Sequence, residues 1–259
     1  MPTLDRDGVT IHYEIHGRGT DHPPLLLTHG YSASSAMWAP NINSLDADRQ
    51  VITWDLRGHG HSDSPSDPSQ YSQDASVADM TAILHECDVT RAVIGGHSLG
   101  GYLSLAFWLA HPARVAALLL IDTGPGFKQD AGRAQWNDLA ETFATGFETR
   151  GLDALSAGPE VNAGPHDPQG LAHAARGILT QTDATVISSL ADIAVPTLVL
   201  VGEQDRPFLT AADYVAGKIP RSTKVIIAEA GHAPNLDQPA AFDAAVTTFL
   251  TRSASRISS

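Results

Sequence analysis

Six apolar runs punctuate this 259-residue chain without alternating between polar and apolar positions. They are PLLLTHG (24–30), QVITWDLRG (50–58), RAVIGGHS (91–98), VAALLLIDTG (115–124), PTLVLVGEQD (196–205) and TKVIIAEAGH (223–232). A strand with one wet face alternates; a strand covered on both faces is apolar throughout. Short continuous runs that end in Gly, Asp or His therefore predict parallel strands buried on both sides. Helical spacing appears between them, as in Val77, Met80, Ile83, Leu84 and Cys87. Strand–helix alternation implies an α/β chain with a mostly parallel sheet and helices on both faces.

The segment from Gly8 to Gly17 differs. Val9, Ile11, Tyr13 and Ile15 fall on one face and Thr10, His12, Glu14 and His16 on the other, the period of a half-buried antiparallel strand with His12 and His16 exposed. Leu99 to His111 is apolar nearly all round and is followed by Pro112, which suits a buried central helix. Asp237 to Arg252 predicts a last helix with Phe242, Val246, Phe249 and Leu250 inward.

Residues 125–190 break the rhythm. They contain no convincing strand, only helix-like pieces with Trp136, Leu139, Phe143 and Phe147, a loop with Pro159, Pro165 and Pro168, and a further stretch from Leu171 to Leu190. A structureless loop of that length is unusual in a domain. The expectation is a helical insertion at 125–190 within a core formed by 1–124 and 191–259.

Composition narrows the function. The chain is 42% hydrophobic and 17% charged, as in globular proteins. Its net charge of -13 argues against a nucleic-acid partner, whose phosphates need Lys and Arg. One cysteine, Cys87, excludes an intrachain disulfide and a thiolate zinc cluster. The polar start, MPTLDRDGVTIHYEIHG, reads as no signal peptide, and the longest apolar run is too short for a membrane span. A cytoplasmic monomer or homodimer without a membrane partner is expected.

Chemistry concentrates at GGHSLGG (95–101). Gly96-His97-Ser98-Leu99-Gly100 matches G-x-S-x-G, in which a sharp strand-to-helix turn strains the serine and small neighbours relieve the crowding. Ser98 then meets the amino end of a helix, which favours developing negative charge. His97, the variable position, should point away. A serine nucleophile needs a base, and the base needs an orienting group. His232 and Asp205 both follow strand ends on the same sheet edge as Ser98. Asp122 competes with Asp205 as the acid, and Glu203 is a weaker alternative. The backbone N–H groups of Leu99 and Tyr31 are the candidate oxyanion donors. His59 and His61 form an H-x-H pair without a third ligand at motif spacing, so no metal is expected.

HGY, DLRGHGHSD (55–63), GHSLGG, GEQD (202–205) and GHAPN (231–235) occur in this order. Together they resemble the α/β-hydrolase superfamily, in its branch of small cofactor-free esterases, lactonases and carbon–carbon-bond hydrolases. The resemblance implies an α/β-hydrolase fold, a helical cap at 125–190, and Arg57 and Asp55 in supporting hydrogen bonds. Serine at position 98 departs from the dehalogenase and epoxide-hydrolase branches, which carry aspartate there. The implied activity is hydrolysis of a small or medium, moderately apolar ester through an acyl-enzyme on Ser98, without cofactor. An enol-lactonase type, a carbon–carbon-bond hydrolase of aromatic catabolism and a non-turnover ligand receptor are the alternatives. Trp136, Phe143 and Phe147 either line the acyl pocket or form the insertion's own core.

Overall fold

In a computed structural model, which describes residues 2–161 and 164–257 with side chains as far as Ser253, the apolar runs form the centre of an eight-stranded sheet. The strands are β1 (Thr3–Arg6), β2 (Val9–His16), β3 (Leu25–Thr28), β4 (Val51–Trp54), β5 (Ala92–His97), β6 (Val115–Ile121), β7 (Thr197–Gly202) and β8 (Ser222–Ile227). Their order is β1-β2-β4-β3-β5-β6-β7-β8. From β4 onward every pairing is parallel; β1–β2 and β2–β4 are antiparallel.

The helices are α1 (Ile42–Leu45), α2 (Gln73–Glu86), α3 (Leu99–Ala110), α4 (Asp130–Arg150), α5 (Pro168–Ala174), α6 (Thr185–Ser188), α7 (Arg206–Lys218), α8 (Pro234–Asp237) and α9 (Pro239–Ile257). Strand side chains alternate between two cores, as a pleated backbone requires. Leu26, Ile52, Ile94, Leu118, Leu120 and Val199 pack with α2, α3 and α7. Leu25, Leu27, Val51, Val93, Leu119 and Leu198 pack with α9, where Phe242 and Val246 are fully covered. Truncating a buried aromatic such as Phe242 to alanine typically costs about 3–5 kcal/mol.

Two local expectations are corrected and one strand is added. Every residue of β3 to β7 is buried, but β8 is largely exposed because it ends the sheet and has a neighbour on one side only. His12 is buried, not exposed, because the loop after β4 folds over β2. There His12 N–H donates to Ser62 Oγ (2.9 Å) and Thr10 N–H to Asp63. Strand β1 is an addition: Asp7 and Gly8 take φ of +58° and +83°, the two-residue turn with both residues left-handed that closes a tight hairpin.

Between β6 and β7 the chain is helical. Asp167 caps α5 by accepting the N–H groups of Gln169 and Gly170, with Pro168 at the first helical position. Helix α4 packs on α5 through Ala144 and Phe147 against Leu171, Ala172 and Ala175. Arg176 reaches across to Glu141 and Glu148 of α4. Leu139 and Phe143 are 42% and 39% exposed; Ala140, Ala144, Gly146 and Phe147 make the close face of α4. Among the described residues no helix is long and apolar enough to cross a membrane.

Candidate active site

The turn from β5 to α3 places Ser98 at the carboxyl edge of the sheet. Ser98 has φ +51° and ψ -113°, a conformation that L-residues rarely adopt. Its N–H donates to Ile121 O (2.8 Å), and its carbonyl accepts from Thr123 Oγ1 (2.6 Å). The flanking glycines supply clearance. A Cβ at Gly96 would stand 2.3 Å from the carbonyl carbon of Gly100, and one at Gly100 would stand 2.2 Å from Thr28 O. Both obstacles are backbone, so neither can move aside.

His232 lies on the loop between β8 and α8, and Asp205 directly precedes α7 after β7. His232 Nδ1 donates to Asp205 Oδ2 at 2.6 Å. Asp205 is 8% exposed, while the His232 side chain is 34% exposed. The arrangement leaves Nε2 of His232 free of that bond and its tautomer defined. Phe208 covers one side of the imidazole, with ring centroids 4.8 Å apart.

Asp122 is also at this edge, behind Asp205. Its Oδ1 accepts Gly202 N–H (2.9 Å), and its Oδ2 is buried without a hydrogen-bond partner. Glu203, the other acid considered, instead accepts the N–H of Glu229 (3.1 Å).

His97 does more than point away. Its Nε2–H donates to the carbonyl of His232 (2.6 Å), and the two rings are 4.6 Å apart. Burial holds His97 well below the usual imidazole range, so it is neutral and its Nδ1 carries a lone pair. That lone pair faces Gly30, where a Cβ would stand 2.7 Å away. The G-x-S-x-G pattern carries no signal for this role, because it leaves the x position open.

The loop after β3 carries His29, Gly30 and Tyr31. His29 Nδ1–H donates to Gly30 O (2.7 Å) and its Nε2 accepts Leu56 N–H (3.0 Å), fixing a neutral tautomer that burial also favours. Tyr31 O–H donates to Leu171 O (2.9 Å), and its ring stacks on Phe143 with centroids 5.9 Å apart. Phe147 meets the same ring edge-on. The Leu99 N–H opens the first turn of α3, where N–H groups have no intrahelical partner.

A cavity of about 450 Å³ opens on Ser98. Leu99, Tyr102, Thr123, Phe127, Trp136, Leu179, Gln181, Ile187, Phe208 and Tyr214 are among its walls, and among the described residues none that lines it carries a charge. Of the three aromatic residues singled out in the sequence, only Trp136 lines it, held by Nε1–H donating to Leu179 O (2.8 Å). Phe143 and Phe147 surround Tyr31 instead. Phe127, Phe208, Tyr102 and Gln181 were not foreseen; they come from four separate segments that only the fold brings together.

The RGHGHSD segment is structural. His59 donates from Nδ1 to Arg57 O (3.0 Å) and accepts Ser32 N–H at Nε2 (3.1 Å), and burial pushes it down to about 3. Asp55 accepts the N–H groups of Ser35 (2.6 Å) and His61 (2.9 Å). Arg57 forms a two-point pair with Asp79 (2.7 and 2.9 Å), which is fully buried. His12, Asp55 and His61 offer ligand atoms within 4.8 Å of one another, as do Asp122, Asp205 and His232.

A strained serine between a parallel strand and a buried helix, with a His–Asp pair on the same edge, defines a class before any comparison is made. The family model described as alpha/beta hydrolase fold matches residues 23–169, and the chain belongs to that family and is a hydrolase. It is 30% identical over 264 residues to 3-oxoadipate enol-lactonase 2 of Acinetobacter baylyi, covering 96% of each chain. It is 28% identical to a putative 2-succinyl-6-hydroxy-2,4-cyclohexadiene-1-carboxylate synthase of Bacillus subtilis, over 95% of this chain and 96% of that one. A thermophilic esterase from Thermogutta terrifontis superposes with a TM-score of 0.81 at 27% identity, covering 97% of each chain.

Proposed function

We propose that this hydrolase cleaves uncharged, largely apolar carboxylic esters through an acyl-enzyme on Ser98. The observation that carries the reading is the His232–Asp205 pair beside a strained serine that opens on an uncharged cavity. Ser98 Oγ attacks the ester carbonyl as His232 Nε2 takes its proton. Asp205 holds the imidazole tautomer and stabilises the imidazolium. The oxyanion is held by the N–H groups of Leu99 and Tyr31. His232 then protonates the leaving alcohol. In the second half it deprotonates water, which attacks the acyl carbonyl and releases the acid and Ser98. Residues 125–190 act as the cap that supplies Phe127, Trp136, Leu179, Gln181 and Ile187 to the cavity.

The cavity separates this chain from relatives whose names specify carboxylate-bearing compounds. A bound carboxylate buried without a cation or a dense set of donors is costly. Among the described residues the lining offers no cation, and the net charge of -13 repels anions at longer range. A neutral lactone is the second reading, favoured by the 30% identity to an enol-lactonase over nearly the full chain. The same steps open a ring ester.

Steady-state kinetics on neutral p-nitrophenyl esters, neutral lactones and acyl esters that end in a carboxylate test this directly. Neutral esters should turn over with kcat/KM at least about tenfold above the anionic series. Ser98→Ala should lower kcat by about 10⁴-fold or more while the fold persists. Retained turnover in that variant, or a preference for the anionic esters, overturns the reading.

A further inference from the structure

Asp122 is a buried acid that the acyl transfer leaves unused. It directly follows β6, with φ +41°, in the region that non-glycine residues seldom occupy. Its backbone N–H donates to Leu200 O (2.9 Å) and its Oδ1 accepts Gly202 N–H (2.9 Å), so β7 grips it at two points. It is 1% exposed, and its Oδ2 is sealed from solvent with no hydrogen-bond donor against it. One of its oxygens lies within 4.8 Å of both an oxygen of Asp205 and a nitrogen of His232.

An ionised carboxylate would have to leave Oδ2 bare in that setting, beside a second carboxylate. Both features are unfavourable: an unpaired buried charge is costly, and two adjacent carboxylates resist double ionisation. A proton on Oδ2 removes both difficulties, because it turns the orphan oxygen into a donor facing an acceptor. We propose that Asp122 is held as a neutral carboxylic acid whose Oδ2–H donates to Asp205, so the two carboxyl groups share one proton and present a single charge to His232. Asp122 is then a positioning residue. It fixes the Asp205 carboxylate from behind, as Asp205 fixes the imidazole.

The surroundings agree. Burial, then the Asp205 carboxylate, and more weakly Asp237 of α8, push Asp122 well above the usual carboxylate range. The Gly202 N–H is the opposing influence. Asp205, His232 and Asp237 are the titratable groups that face it from the β7–α7 loop, the β8–α8 loop and α8. The catalytic consequence rests on the role proposed for Asp205. The protonation itself does not, and it can be read without turnover.

Two readouts are independent of activity. An infrared difference spectrum of wild type against Asp122→Asn at neutral pH should show the carbonyl stretch of a protonated carboxylic acid, lost in the variant. Thermal stability gives the second. In the unfolded chain Asp122 ionises in the ordinary carboxylate range, whereas the folded chain keeps its proton. Folding therefore takes up a proton, and this group's contribution to stability falls as pH rises above about 4. Asp122→Asn removes that pH-dependent cost, so its Tm relative to wild type should rise steadily from about pH 5 to about pH 8.

Kinetics then test positioning. Asn can still accept from Gly202 and donate to Asp205, so it should lower kcat by only about threefold, within the worth of one altered hydrogen bond. Asp122→Ala removes the donor and should lower kcat by about tenfold or more, with KM little changed. The acidic limb of kcat/KM, which reports His232, should keep its place in Asp122→Asn. If Asp122 were ionised, removing its charge would move that limb down by about one pH unit. Such a displacement overturns the proposal. So does absence of the infrared band, or a Tm deficit in Asp122→Asn that deepens as pH rises. A serine that proves dispensable would overturn the acyl-enzyme while leaving the infrared and Tm results intact.

Discussion

The Nε2–H of His97 is hydrogen-bonded to the carbonyl of His232 at 2.6 Å, so the residue before Ser98 anchors the loop that carries His232. His97 leaves β5 at its carboxyl end and His232 enters from the loop after β8, 135 positions later. The bond grips the backbone of His232 rather than its ring, so a change of the His232 rotamer does not undo it.

His97→Ala should therefore loosen the His232 loop without touching substrate. The expected result is a fall of about tenfold in kcat with a smaller change in KM, from one lost hydrogen bond and a cavity under His232. Because His97 stays neutral, the pH–rate profile should keep its shape. Steady-state kinetics across pH check this, and an unchanged kcat would remove His97 from the site.

How far the sequence shows all this depends on the kind of constraint. Strands β3 to β7 are legible because burial on both faces abolishes alternation. Ser98 is legible because its backbone strain demands glycine at 96 and 100, and glycine is visible in a sequence. The hairpin of β1 is written as Asp7-Gly8, a turn signal directly before the alternating strand β2. Burial of His12 was not visible, since it arises from a loop more than 40 positions away folding over β2. Nor was the division of the aromatics in α4, where two turns of helix separate a ring that meets the cavity, Trp136, from one that meets Tyr31, Phe143.

Buried neutral histidines predict acid lability. His29, His59 and His97 are all pushed below the ordinary imidazole value, chiefly by burial. In the unfolded chain they take up protons near pH 6.5, whereas the folded chain excludes them. Protons bound by the unfolded state then exceed those bound by the folded state, and stability falls as pH drops through that value. Each such group contributes up to about 1.4 kcal/mol per pH unit once fully in the window. Denaturant unfolding between about pH 7.5 and 5.5 should show a decline, and His59→Asn should make it shallower.

Tyr31 links the proposed oxyanion loop to the helical segment between β6 and β7. Tyr31→Phe removes only the hydroxyl bond to Leu171 O and keeps the backbone N–H and the stacking on Phe143. It should cost about 1 kcal/mol of stability and less than about tenfold in kcat. Tyr31→Ala also removes the ring from between Phe143 and Phe147, and should lower kcat further than Tyr31→Phe. Equal kcat in the two variants would mean that the ring does not position the loop.

Gly100→Ala tests the clearance at the elbow. The added Cβ would meet Thr28 O and His29 O, at 2.2 and 2.7 Å, in the strand and loop that precede Tyr31. Overpacking against side chains costs about 1–3 kcal/mol; against two carbonyl oxygens the cost should reach the upper end or exceed it. Urea denaturation reads this directly. In soluble protein that remains folded, kcat should fall by more than tenfold, since relief of the clash displaces either Ser98 or the loop that carries Tyr31.

Acyl-chain length probes the cavity wall. Each methylene buried on apolar surface is worth about 0.8 kcal/mol, close to fourfold in binding, so kcat/KM should climb with chain length until the 450 Å³ are filled. Beyond that length added carbons meet solvent or a wall, and the slope should break. Trp136→Ala removes the largest lining side chain and releases Leu179 O, so the break should move to esters at least two carbons longer. Short esters should lose activity in the variant, because the enlarged site no longer holds their carbonyl against Ser98. Trp136→Phe, which keeps most of the volume, should leave the break within about one carbon of wild type. An unmoved break in Trp136→Ala, with the short esters unaffected, would place the acyl chain elsewhere in the cavity, against Phe208 and Tyr214.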